Sequence, residues 1–173
     1  SLRWLAESTG DPLVRAAANA ACDAIIPGSS SREAYGLLTD QAHAFSNDGG
    51  KMVRTYHDPV IWMTDGGSLN WKSVEGWELN ELRAEQFLAD ALTINPTGAA
   101  AMALNACNQM ARWSEYRDVS SVISNQVDAG DADESELSNL RGRELEMHRV
   151  RSSAYSMTPE IVDAAVEIAL TDR

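Results

Sequence analysis

Four of the five prolines in this chain stand directly behind a helix-capping residue: Asp11-Pro12, Asp58-Pro59, Asn95-Pro96 and Thr158-Pro159. Asp, Asn and Thr side chains accept hydrogen bonds from the unpaired N–H groups of a first helical turn. Proline in the next position gives up only an N–H that has no partner there, and its fixed φ already suits a helix. An Ala-rich or apolar-periodic run follows at three of these sites, so the chain marks its own helix starts. The spacing predicts an all-α protein.

The first long helix is expected from Pro12 to about Ile26, stopping at Pro27-Gly28, with a short helical turn ahead of it that tucks Trp4 onto the core. Ser30-x-x-Glu33 has the form of a capping box and precedes an amphipathic run on Ala34, Leu37, Leu38, Ala42 and Phe45. The helical period returns at Glu78. It predicts helices from Glu78 to about Thr93, from Pro96 to Arg112, and from a Ser114 cap to Gly130. Five acids between Asp128 and Glu136 and arginines at 141, 143, 149 and 151 then lie at opposite ends of one further helix, complementing its dipole. A last helix is expected from Pro159 to about Leu170. The reading is a single domain over 1–173, a bundle or array of six to seven helices. It divides into an N-terminal helix pair (1–50), an insert (51–77) and C-terminal helices (78–173).

The insert breaks the helical pattern. Met52 to Tyr56 and Val60 to Thr64 are β-prone, Asp65-Gly66-Gly67 is a turn signal, and Leu69-Asn70-Trp71 returns as a second strand. An irregular segment or a β-hairpin is expected here. Three of the five tryptophans, Trp62, Trp71 and Trp77, fall within sixteen residues of one another in this segment. Tryptophan, tyrosine and arginine are favoured interface anchors. The candidate partner-binding residues are therefore Arg54, Tyr56, Trp62 and Trp71. Trp77 leads into a helix and reads as a core staple, a role open to Trp62 and Trp71 as well.

The stretch from Phe87 to Thr97, the Ala-rich run after it, and Met110-Ala-Arg-Trp-Ser-Glu-Tyr116 resemble the junction between helices of a tetratricopeptide repeat. Ala111 stands where that family prefers glycine, and no second copy appears at its period of about 34 residues. The resemblance covers about forty residues and implies protein–protein binding through paired helices.

Chemistry finds little purchase. His57 beside Asp58, with Asp65 nearby, is the one arrangement suited to proton transfer. His148 follows Glu144 at i+4, the spacing of an intrahelical pair. His43 reads as a packed or capping side chain. Asp128, Asp131, Asp133 and Glu136 lack the glycine and terminal glutamate of an EF-hand loop. No phosphate loop, nucleophile elbow or zinc pattern occurs, and the residues call for no cofactor and no metal. Cys22 and Cys107 sit in apolar helical stretches and read as free thiols, which suits a reducing compartment.

Formal net charge is −12, from 26 acids against 14 Lys and Arg, only two of which are lysines. Such a chain repels nucleic acid and anionic membrane, so direct nucleic-acid binding and membrane association are not expected. No apolar run approaches a membrane span, and no signal peptide is evident, so a soluble cytoplasmic protein is expected. The acidity suits a partner with a basic surface, and equally suits solubility alone. The function expected is a non-enzymatic protein–protein interaction protein: an adaptor, assembly component or inhibitor. The alternatives are an acidic nucleic-acid-mimicking inhibitor or small virion-assembly adaptor, and an enzyme built on His57 with a neighbouring carboxylate. The small-residue faces Ala16–Ala21 and Ala99–Ala106 suit close helix packing, between copies as a homo-oligomer or within one.

Overall fold

The computed structural model describes residues 1–48, 60–65, 68–131 and 133–156. Among these residues it contains seven α-helices: α1 (Leu2–Ser8), α2 (Pro12–Ile25), α3 (Ala34–Asp48), α4 (Leu79–Ile94), α5 (Ala99–Ala129), α6 (Glu134–Gly142) and α7 (Glu144–Tyr155). Strands β1 (Val60–Asp65) and β2 (Ser68–Ser73) pair as an antiparallel hairpin between α3 and α4. The protein is all-α with a β-hairpin insert. The Asp58-Pro59 and Thr158-Pro159 starts and the expected Pro159–Leu170 helix lie outside the described residues.

The caps show where local reading succeeds and where it stops. Asp11 accepts from the N–H groups of Leu13 and Val14, so α2 opens as its Asp-Pro pair predicts. Ser30 is not the cap of α3. Its N–H and hydroxyl both donate to Asp23 at the end of α2, at 2.9 and 2.5 Å, and the first N–H of α3, at Ala34, donates to Glu7 of α1 at 2.8 Å. Nor does Pro96 start a helix. Asn95 ends α4, and α5 begins at Ala99 after Gly98. The hydroxyl of Tyr35 on α3 accepts from the Ala101 N–H in its first turn, at 3.1 Å. Gly98 lies so close under that ring that an added methyl group would overlap it. The termini of α3 and α5 are satisfied by side chains from distant elements.

Two further boundaries differ from expectation. No break occurs at Ser114: α5 runs unbroken through 31 residues, a rod of about 46 Å at 1.5 Å per residue. It also passes straight through Ala111 to Trp113, where the repeat resemblance requires a turn. Conversely, the helix expected after Asp128 is two helices, divided at Gly142-Arg143. Asp133 caps the first of them through Ser135 N–H, with Glu134 and Glu136 in its first turn and Arg141 in its last. That arrangement accounts for much of the acidic stretch by the helix dipole.

Buried side chains gather along α5. Its first half joins α3 and α4 around Leu38, Ala42, Ala84, Leu88, Ala91, Ala101 and Leu104, with Phe45 stacked on Phe87 at 5.7 Å. Its second half meets α6 and α7 around Tyr116, Leu140 and Met147, with Trp77 and Trp113 packed alongside. A smaller cluster of Ile61, Leu79, Val74 and Leu82 seats the hairpin on α4. The two alanine runs behave differently. Ala101, Ala103 and Ala106 are buried, whereas Ala16, Ala17 and Ala20 face outward because α2 lies on α1 and the Ser29–Ser31 turn. Trp4 is likewise exposed rather than tucked onto the core. Cys22 and Cys107 are not joined by a disulfide.

Candidate interaction surface

The hairpin sorts its side chains by the twofold alternation of strands. Ile61 is 3 % exposed and points to the helical body, and Lys72, its cross-strand partner, shares that inner face. Trp62 pairs with Trp71 on the opposite, outer face. They are 49 % and 62 % exposed, and Leu69, two residues from Trp71 on the same face, is 65 % exposed. Asp65 and Ser68 close the ladder with two residues between them. In a hairpin of that length the closing pair exchanges both hydrogen bonds, and alternation then makes Trp62–Trp71 a non-hydrogen-bonded pair, the kind whose side chains approach most closely. The Trp62 carbonyl is accordingly turned away from β2 and accepts from Gln86 Nε2 of α4 at 3.1 Å. Two large apolar rings are thus presented side by side to solvent.

Beneath the hairpin lies a buried ionic network that the sequence reading did not find. Glu78 ends the Gly76–Glu78 turn that follows β2 and is 1 % exposed; Arg112 of α5 is 3 % exposed. The Glu78 carboxylate accepts from Arg112 Nε and Nη2 at 3.4 and 3.3 Å, and from the guanidinium of Arg143. Arg112 reaches onward to Glu85 of α4 at 3.3 Å and to Glu146 of α7 at 2.7 Å. Arg143 stands over the ring of Trp77 at 5.5 Å, so the helix break at Gly142-Arg143 is where the chain turns an arginine inward. Burial opposes the charge on Arg143, and the Glu78 carboxylate outweighs it, raising the pKa above its ordinary value. Burial likewise opposes the charge on Glu146, and Arg112 outweighs it, holding that carboxyl below the usual range. No local spacing marks this network: Arg112 ends the helix expected from Pro96, and its carboxylate partners lie 27 to 34 residues away in sequence.

One carboxyl group in this region has weaker support: a backbone N–H and the charge of Arg112 oppose the effect of its burial without outweighing it. Glu81 of α4 is buried, and burial pushes its pKa up, with nearby Glu78 adding to the effect. Its Oε2 atom has no hydrogen-bond partner, although its backbone carbonyl accepts from Asn108 Nδ2 at 2.8 Å.

Trp77 packs against Tyr116 at 6.4 Å and is a core staple, as expected. Arg54, Tyr56, His57 and Asp58 lie outside the described residues, and of Asp65 only the backbone is described. His148 approaches Glu144 at 3.6 Å across one helical turn, and both are exposed. His43 is half-buried beside Asn47 at 3.3 Å. A shallow cleft of about 300 Å³ between α5 and α7 has Trp113, Tyr116 and Met147 as its floor. Among the described residues no group of three or more His, Cys, Asp or Glu side chains gathers to hold a metal ion, and no helix is long and apolar enough to cross a membrane.

No protein-family model, curated protein or solved structure matches this chain.

Proposed function

We propose that this chain is a non-enzymatic protein–protein interaction protein, an adaptor, assembly component or inhibitor, that docks a partner on the outer face of its hairpin. The observation that carries this reading is the exposure of Trp62 and Trp71 as a cross-strand pair. Large rings left in water are unfavourable, and an apolar patch on a surface marks an interaction site. Covering about 100 Å² more of each ring contributes roughly 2.5 kcal/mol apiece, enough for two residues to dominate an interface. The inner face supports the same reading. Ile61, Leu79 and Leu82 hold the hairpin down without help from the tryptophans, so the outer rings are free of a core-packing duty. A partner with a basic surface suits the net charge of −12.

The test is capture from native lysate with wild type beside the Trp62→Ala/Trp71→Ala variant, after circular dichroism has matched the two folds. A partner held by wild type and lost by the variant supports the docking role. Equal capture by both proteins, or none by either, overturns it.

A further inference from the structure

Among the described residues the hairpin has a second feature without a partner, on its backbone rather than its side chains. Among the described residues the sheet has two strands, so the far edge of β2 has no strand partner there. The alternation that makes Trp62–Trp71 a non-hydrogen-bonded pair also applies to Leu69 and Ser73. The N–H and C=O groups of Leu69, Trp71 and Ser73 therefore all point away from β1. Every residue of β2 is exposed. An edge of this kind is a template for strand pairing unless bulges, prolines or edge charges blunt it. β2 has no proline and no acid; its one charge, Lys72, is the single blunting feature of the strand, and it is offset by the Glu146 carboxylate that it helps hold ionised.

We propose that the β2 edge pairs with the β2 edge of a second copy of this chain, in antiparallel orientation about a twofold axis at Trp71. The strand is self-complementary in that register. Trp71 faces Trp71 of the other copy, and Leu69 faces Ser73. All three outward positions meet outward positions, so each pair exchanges two hydrogen bonds. Lys72 falls opposite Asn70, which keeps the only cation of the strand away from its own symmetry mate. An acidic chain of net charge −12 resists meeting itself over most of its surface, but Ser68–Ser73 carries no negative charge. The resulting four-stranded sheet gains ladder bonds on both copies, in addition to the packing that already seats each hairpin on α4. The outer face of that sheet then presents two Trp62–Trp71 pairs side by side. This pairing goes beyond the docking role of the tryptophans and is tested apart from it.

Sedimentation equilibrium over a wide dilution range reads the outcome. Wild type is expected to rise with concentration from 18.8 kDa to twice that mass. Leu69→Pro removes an N–H that points outward, at an edge position where proline is tolerated, so the hairpin itself survives. It deletes two interchain donors per dimer and should weaken association about tenfold or more. Leu69→Val keeps the donor and should leave the dimer within a few-fold of wild type, with matching circular dichroism for all three proteins. A wild type that stays at 18.8 kDa at every concentration overturns the proposal. So does a dimer that Leu69→Pro leaves intact, which would place the contact elsewhere, with the exposed Leu13 and Ile25 of α2 as the first place to look. Partner capture by the tryptophan variant is a separate readout, so either proposal stands or falls without the other.

Discussion

Glu81 and Glu146 are carboxyl groups on different helices whose surroundings push them in opposite directions. Glu146 reaches Arg112 at 2.7 Å and is held ionised; Glu81 is buried with one oxygen unpartnered and resists ionisation. A carboxyl whose folded pKa is raised binds its proton more tightly in the native state than in the unfolded chain. Ionising it therefore costs stability, and that cost grows as pH rises from the unfolded value through the folded one. Glu81→Gln should accordingly stabilise the protein at neutral pH, by on the order of 1 kcal/mol. The gain should disappear on acidification below the ordinary carboxyl value of about 4.3, where wild type is protonated in both states. Urea unfolding of the two proteins at neutral and acid pH reads this directly. A gain that persists at low pH would mean that the amide improves packing rather than removing a charge. For Glu146 the sign reverses: its stabilising contribution is present above the unfolded carboxyl value and is lost as pH falls through its depressed folded one.

At the scale of elements, the joint between α3, α4 and α5 depends on one tyrosine. Tyr35 caps the Ala101 N–H with its hydroxyl and lies close over Gly98, so it both ends the α4–α5 turn and starts α5. Tyr35→Phe should cost about 1 kcal/mol, the worth of one cap hydrogen bond in a partly buried site. Gly98→Ala should cost more, about 1–3 kcal/mol, because the new methyl group forces the ring to move. Thermal unfolding orders the two, and a Gly98→Ala variant as stable as wild type would show that the ring yields freely. Local reading could not have found this joint. Asp11-Pro12 was legible because cap and helix are neighbours in sequence, and the strands on either side of Asp65-Gly66-Gly67 were legible by the same rule. Tyr35 and Ala101 are 66 residues apart, as Glu7 and Ala34 are 27 apart, and no local spacing marks such pairs. The same limit applies to the candidate interaction surface. Trp62 and Trp71 could be named from composition, but their shared outward face required the register, and the contribution of Leu69 went unnoticed.

Over the whole molecule, Arg112 is the side chain through which the separate parts meet. It lies near the middle of α5 and bonds to the turn beneath the hairpin through Glu78, to α4 through Glu85 and to α7 through Glu146. The apolar clusters on either side of it do not merge, because one is built from α3 and α4 and the other from α6 and α7. Between them the connection is ionic. Removing one partner of a buried ionic network leaves an unpaired charge in a dry site, which typically costs 3–5 kcal/mol, whereas removing both restores part of that loss. Arg112→Met should therefore destabilise the protein toward the lower end of that range, by about 3 kcal/mol, because Arg143 still faces Glu78. Glu78→Gln should cost less, since Arg112 retains two half-exposed carboxylates that water can also reach. The double variant Glu78→Gln/Arg112→Met should cost less than the sum of the two single variants, because both singles lose the same Arg112–Glu78 contact, a shortfall that independent substitutions do not produce. Denaturant unfolding of the four proteins completes the cycle. Hydrogen exchange adds the spatial readout: in Arg112→Met, protection should fall first in the hairpin and α7, because α4, the third part tied to α5 through this side chain, is also held by the Leu88–Leu104 cluster. Loss spread evenly over α3 and α4 as well would mean that the apolar clusters alone hold the molecule together, and that the charges merely fill the gap between them.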